Sequence, residues 1–416
     1  MRQHKIELKL AVLPMLLMLV GLITMYTIGP AWAAYQSSIT GTHFYAHTFF
    51  IKQGFTVVVT LILMYLAWLV FTRNRNLFNR ILDAAPKFFL ATLALCLVVG
   101  FLGGIGVHLG GLIMCSGGAC RAIKLPFIGS FQPAELLKVS LTFYVINIIK
   151  KRKEEGNFDF NAPTLVPICT AILAIAVVVG LLEKDLGSTT VMGAMIVAML
   201  LVANIKLNVQ RVALALGIGV ILMASLLFSP HRIARLNSFQ DQISGSASAE
   251  NSHSDNAILA IGSGGFKGVG IGNSVQATGY LPESINDSIF AVIGETTGFV
   301  GLVLLILAYA AFLTALINLN KRADKETEAL VPIAVFAWIF GHTVINMAGM
   351  TGILPMKGIT LPFISYGGSS MMCLGFMVGV VLYISSFAHR TEAGDTRSRR
   401  TFESRRRRTR AMIGGR

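Results

Sequence analysis

The feature that most constrains this chain is a series of apolar runs, each close to twenty residues long and separated by polar connections. They fall near residues 8 to 29, 48 to 71, 88 to 109, 134 to 149, 164 to 182, 186 to 203, 211 to 228, 288 to 317, 330 to 350 and 369 to 388. A run of this length crosses the ~30 Å hydrocarbon layer of a bilayer as a helix. Lipid offers no hydrogen-bond partners to open backbone, so helix is the only spanning structure such runs can adopt. The expected fold is therefore all-α: a polytopic membrane protein with ten transmembrane helices and one long extracytoplasmic loop, 229–287. A soluble domain is excluded by a composition of 54% hydrophobic and 13% charged residues, with mean hydropathy +0.68. The charged start before the first run imitates a signal peptide, but no small-x-small site follows it closely, so it reads as a retained span.

Basic residues set the orientation. Of the lysines and arginines, 26 lie in the N-terminus, alternate connections and the tail, against 8 in the other connections, with Lys138 inside a span. Both termini are thus expected in the cytoplasm of a multi-pass protein of the cytoplasmic membrane, and the long loop outside it. The net charge of +15 belongs mostly to cytoplasmic connections and to a disordered basic tail, 391–416. That pattern points to anionic membrane lipids and not to nucleic acid. Cys115 and Cys120, with glycines between them in an outward connection, can form a disulfide or remain two thiols. Cys96, Cys169 and Cys373 lie in apolar runs, where cysteine packs.

Ionisable groups inside spans are costly and therefore either paired or functional. In FQPAELLKVSL, Pro133 suits a first helical turn and Glu135 and Lys138 share one face, as a self-satisfied pair or as the charged wall of a cavity. Asp185 stands where a helix N-cap is expected. Glu295 lies between Gly294 and Gly298, whose spacing permits close helix approach. In the long loop, Asp241 follows His231, Arg232 and Arg235. It is either a solvated turn residue or a base facing a sugar hydroxyl, with the cations holding a phosphate leaving group. The stretch GSGGFKGVG lacks the order of a nucleotide-binding P-loop, and His253 with Asp255 is too small a set for a metal. The final connection, NMAGMTGILPMKGITLPFISYGGSS, is too rich in Pro and Gly for one helix. Lys357, Ser365 and Tyr366 would supply a cavity there with donors.

FQPAELLKVSL, EKDLGSTT, GIGNSVQATGYLPESINDSIFAVIGETTG and GILPMKGITLPFISYGGSS resemble, in order and spacing, the SEDS family (shape, elongation, division and sporulation) of bacterial cell-wall polymerases. The likeness covers residues 8 to 390 and is nearer to the division branch than to the elongation branch. It implies a peptidoglycan glycosyltransferase that polymerises lipid II, working with a class B penicillin-binding transpeptidase and other divisome proteins at the division septum. It also implies an inverting transfer with Asp241 as general base. Arg232, Arg235, Lys357 or a divalent cation (Mg or Mn) would hold the pyrophosphate, with no organic cofactor. Arg121, Glu135, Lys138, Asp185, Glu283, Asp287, Glu295, Ser365 and Tyr366 would line the substrate site. The chain departs from the family pattern around several of these. Phe239, Gln240 and Gln242 replace the usual neighbours of the aspartate. Cys120 and Ala122 flank Arg121, Glu183 and Lys184 precede Asp185, and Ile285 and Asn286 precede Asp287. Two other readings stay open, a flippase for the same lipid and a scaffold that recruits the transpeptidase.

Overall fold

The computed structural model describes residues 7–106, 112–116, 119–125, 129–156, 162–203, 253–356 and 358–388. The run expected at 211–228 lies outside them, as do Arg232, Arg235, Asp241, Lys357 and the tail. The helices are α1 (Leu8–Thr40), α2 (Thr48–Arg73), α3 (Arg75–Gly104), α4 (Pro133–Glu154), α5 (Ala162–Ile175), α6 (Leu186–Val202), α7 (His253–Gly264), α8 (Ile289–Arg322), α9 (Glu326–Met350) and α10 (Gly368–Ala388). Among the described residues, seven helical stretches are long and apolar enough to cross a membrane: α1, α2, α3, α5 with its continuation, α8, α9 and α10. α6 is apolar but shorter. α4 falls short on composition, because it carries Glu135 and Lys138 inside and a basic run at its end.

Helix α10 is the central post. Its apolar stretch is 94% buried within the protein, against 33% for α2, so α10 packs on protein where α2 leaves most of its surface for lipid. α3 packs on α4, α6 and α8 on α9, and α1 on α2. The end of the bundle with Arg73, Arg75 and Lys150–Lys153 is strongly basic. There Arg75 lies 3.5 Å over the Phe387 ring and Lys153 pairs with Glu326, tying α3 to α10 and α4 to α9.

The opposite end differs from an all-helical expectation. Between α3 and α4 the chain forms a three-stranded antiparallel sheet, β1 (Ile113–Ser116), β2 (Ala119–Leu125) and β3 (Gly129–Phe131), in the order β1-β2-β3. Its strands are three to seven residues long, too short for a periodicity signal to separate from loop. The Cys115–Cys120 disulfide is formed within it.

Helix α8 is not continuous. Gly298 has φ 66°, ψ −165°, a backbone region open essentially only to glycine. The groups freed by the break pair with the glycine-rich connection that follows α7. Val269 N–H donates to the Glu295 carbonyl (2.9 Å), Gly270 N–H to Thr296 (3.1 Å), Phe299 N–H to Gly265 (2.9 Å) and Val300 N–H to Phe266 (3.3 Å). The small-residue spacing is thus used in two ways: Gly294 lies against Gly264 of α7, and Gly298 makes the break. A Cβ at Gly298 would collide with the backbone of Gly268. Gly298→Ala is expected to destabilise the protein by about 2–4 kcal/mol, measured by chemical unfolding in detergent. A change within about 0.5 kcal/mol would contradict the assigned conformation.

Candidate active site

Several connections converge at the sheet-bearing end. The first is the junction of α5 and α6. Past Ile175 the helix widens into a π turn, Ala176–Leu182, a distortion that turns the chain end inward. Lys184 adopts φ 55°, and Asp185 N–H closes back on the Val179 carbonyl (2.9 Å). Asp185 is the N-cap of α6. Its Oδ1 accepts the Ser188 N–H (2.9 Å), while Oδ2 accepts the Ser188 hydroxyl (2.9 Å) and Gln132 Nε2 (2.8 Å). Since Gln132 immediately precedes Pro133, at the start of α4, the cap also fastens α4 to α6. The neighbouring Glu183 is fully buried. Among the described residues no N–H or hydroxyl reaches its oxygens; the Cys96 thiol of α3 lies beside it.

The second contribution is the charged pair inside α4. Lys138, with no exposed surface, donates to Glu135 Oε1 at 2.8 Å and meets His342 Nε2 at 2.9 Å. An ammonium only donates, so Nε2 accepts and the ring hydrogen sits on Nδ1, facing the Thr360 carbonyl at 3.3 Å. The same ammonium lies 5.2 Å from the Trp338 ring centre. The pair expected from the i, i+3 spacing is formed, but as part of a chain reaching through α9 to the final connection. His342 and Asn346 were not singled out from the sequence, although polar residues four apart in an apolar run are a readable signal.

The last two connections meet at Asp287. Asn346 Nδ2 donates both to the Asp287 carbonyl (2.7 Å) and to the Ile359 carbonyl (2.6 Å), and Tyr366 N–H donates to Ile285 (2.9 Å). The Ser365 hydroxyl accepts the Leu361 N–H (2.8 Å) and holds the turn containing Phe363, at φ 65°. Tyr366 meets Phe49 edge-on. Glu283, also at positive φ, accepts the side-chain amide of Asn286 and is exposed.

Glu295 does not join this group. Its carboxylate accepts the Ser274 hydroxyl and the N–H groups of Val275 (2.9 Å) and Gln276 (3.2 Å), capping the short 3₁₀ turn Gln276–Thr278. It latches the connection to α8 and has no oxygen facing Asp287.

Arg121, on β2, is the cation common to three carboxylates. Its charge bears on Glu183, Asp185 and Asp287 together. Burial, then Asp185, push Glu183 up to about 9, against Cys96 and Arg121. Burial works to raise Asp185 too, but Arg121, the Ser188 N–H and hydroxyl, and Lys138 outweigh it and hold that carboxyl below its usual value. Burial and the Glu283 carboxylate push Asp287 up to about 7, while backbone N–H groups and Arg121 pull the other way. One cation and three carboxylates are thus electrostatically linked at this end of the bundle. Among the described residues no three Asp, Glu, His or Cys side chains are placed to share a metal ion, and Asp185 and Glu295 already accept hydrogen bonds on both oxygens.

Helices of this length and composition define a multi-pass membrane protein. The family model described as cell cycle protein FtsW/RodA/SpoVE matches residues 8–390. Curated relatives include proteins described as probable peptidoglycan glycosyltransferase FtsW. That of Wigglesworthia glossinidia brevipalpis is 34% identical over 271 residues, 64% of this chain and 69% of the relative. That of Saccharophagus degradans is 34% identical over 296 residues, 70% and 74% of the two chains. Among solved structures, a chain from a study of polymerization and crosslinking by a peptidoglycan synthase complex superposes with a TM-score of 0.68 at 19% identity, over 92% of this chain and 98% of that one. The Thermus thermophilus rod shape determining protein RodA gives 0.61 at 20% identity, over 91% and 96%. The chain belongs to the FtsW/RodA/SpoVE family, that is, to the SEDS proteins.

Proposed function

We propose that this protein is a peptidoglycan glycosyltransferase of the division branch, which polymerises lipid II at the outer face of the cytoplasmic membrane. What carries the reading is the electrostatic link of Arg121 to Glu183, Asp185 and Asp287, in a chain of this family over residues 8–390. The basic end of the bundle supports a cytoplasmic orientation for that end and for both termini, and with it an outward orientation for the Arg121 site, on the side where lipid II is used.

In the reaction, Asp241 takes the proton of the acceptor sugar's 4-hydroxyl as that oxygen bonds to the donor's anomeric carbon from the far side. The bond from that carbon to the pyrophosphate oxygen breaks, and undecaprenyl pyrophosphate leaves with the electron pair. Arg232, Arg235 and Lys357, from outside the described residues, offset the charge that develops on the leaving group, while Arg121 pairs with the pyrophosphate already in the bound substrate. A divalent cation enters the proposal only as a counter-ion arriving with the pyrophosphate, and no step depends on it. A class B penicillin-binding transpeptidase and other divisome proteins are the proposed partners at the septum, supported by the likeness to a synthase complex.

Reconstitution of the full chain with its partner and lipid II in vesicles tests this. Glycan chains are expected. Lipid crossing without chains would instead make the protein a flippase, and neither, with partner binding retained, a scaffold.

The Asp287 carboxyl gives a pH signature. Its value of about 7 means that it is neutral below that pH and anionic above it. The site therefore gains a negative charge as pH rises through 7, and a pyrophosphate-bearing substrate meets more repulsion. KM for lipid II is expected to rise severalfold between about pH 6 and 8, and Asp287→Asn to remove that rise. A KM that falls over this range would contradict the assignment.

A further inference from the structure

We propose that the Cys115–Cys120 disulfide is a positioning element of the substrate site: closed, it holds Arg121 over the carboxylates, and opened, it releases that cation. The inference rests on the reading above for its substrate, a lipid-linked pyrophosphate, and for the outward, oxidising side on which the sheet lies.

Three observations converge. The disulfide joins β1 to β2 across the pair Cys115 and Cys120, one residue from Arg121. The strand register slips between Met114 and Cys115, so backbone pairing alone fixes this end of the hairpin weakly and the covalent link defines it. The third is the seat beneath. Gly100 and Gly103 share one face of α3, three residues apart. A side chain on Gly103 would collide with Cys120, and one on Gly100 would press on Glu183 Cγ and Leu182 Cβ, each at 3.3 Å. One bare strip of α3 therefore receives the disulfide and a buried carboxylate side by side. This registers Arg121 against Glu183, and through it against Asp185 and Asp287.

Arg121 is half-buried near the start of β2, the central strand, before the stretch Ile123–Leu125 that pairs with β3. Without the link, the chain from β1 to Arg121 is held by strand pairs next to a slip. The cation then samples positions away from the pocket. The carboxylates lose its stabilisation and take up protons at higher pH, and the pyrophosphate loses a counter-charge. Arg121 is assigned a contact with the bound pyrophosphate and not with the reacting bond, so kcat is left nearly alone.

The test uses the purified full chain reconstituted with its partner. It compares untreated protein, protein treated with tris(2-carboxyethyl)phosphine, and the Cys115→Ser/Cys120→Ser variant. Reduction is expected to raise KM for lipid II roughly fivefold with kcat within about twofold, as for loss of one partly screened charge contact. The pH at which KM turns should move upward. The double serine variant should match the reduced protein and ignore reductant, and oxidised Arg121→Ala should match both. Unchanged KM and an unchanged pH turn on reduction overturn the proposal, as does a fall in kcat and unfolding temperature together with no change in KM. Binding of a fluorescent lipid II analogue, which needs no turnover, separates the two readings. If oxidised protein binds it more tightly than reduced protein but makes no glycan, the polymerase reading fails and this one stands. Equal binding in both redox states overturns this one.

Discussion

Lys138→Met protein is expected to be destabilised by about 3–5 kcal/mol and to lose most of its activity. The side chain has no exposed surface and donates to Glu135 and His342 at 2.8 and 2.9 Å. Methionine fills much of the volume but donates nothing. Glu135 then keeps a buried carboxylate with no donor on either oxygen among the described residues, because Oε2 already lacks one. His342 Nε2 loses its partner as well and is free to change tautomer, which weakens the Nδ1 link to Thr360 in the final connection. The double variant Glu135→Gln/Lys138→Met should regain part of the stability, since replacing a buried pair with neutral groups is far less costly than orphaning one charge. Chemical unfolding of the parent protein and the two variants in detergent measures this. If the single and double variants are equally unstable, the pair is not what holds α4 to α9.

Asp241→Asn is expected to lower the rate of lipid II polymerisation by a factor on the order of 10²–10⁴, with lipid II binding nearly unchanged. Asparagine keeps the size and polarity of the side chain but cannot take a proton from the acceptor hydroxyl. Asp255 is the control: it stands in the first turn of α7, where a carboxylate meets the helix dipole favourably. Asp255→Asn should therefore affect stability slightly and kcat by less than about twofold. A normal rate in Asp241→Asn protein would remove the general-base assignment. A large kcat loss in Asp255→Asn protein would move the assignment there.

The bundle was legible because its code is local. Twenty apolar residues in a row state their own structure, and FQPAELLKVSL announces both the first turn and the buried pair of α4. Asp185 as an N-cap was legible for the same reason. What escaped the sequence is everything assembled across connections. Glu295 reads as a cavity carboxylate until Ser274 and the backbone after it close around both oxygens. Ser365 reads as a donor, and the turn adds a second role, since its oxygen accepts the Leu361 N–H. Arg121 faces three carboxylates from two distant connections, a relation no spacing encodes. The three-stranded sheet was missed because its strands are shorter than any pattern that would distinguish them.

The break in α8 bears on how the protein moves. Two N–H groups of the glycine-rich connection and two of α8 itself are satisfied only across that joint. Separating them would leave backbone polar groups bare in apolar surroundings, at several kcal/mol each. The connection therefore cannot swing as a lid while α8 stands still. Helix and connection form one lever, and a displacement of α8 is carried through Glu295 to the 3₁₀ turn Gln276–Thr278.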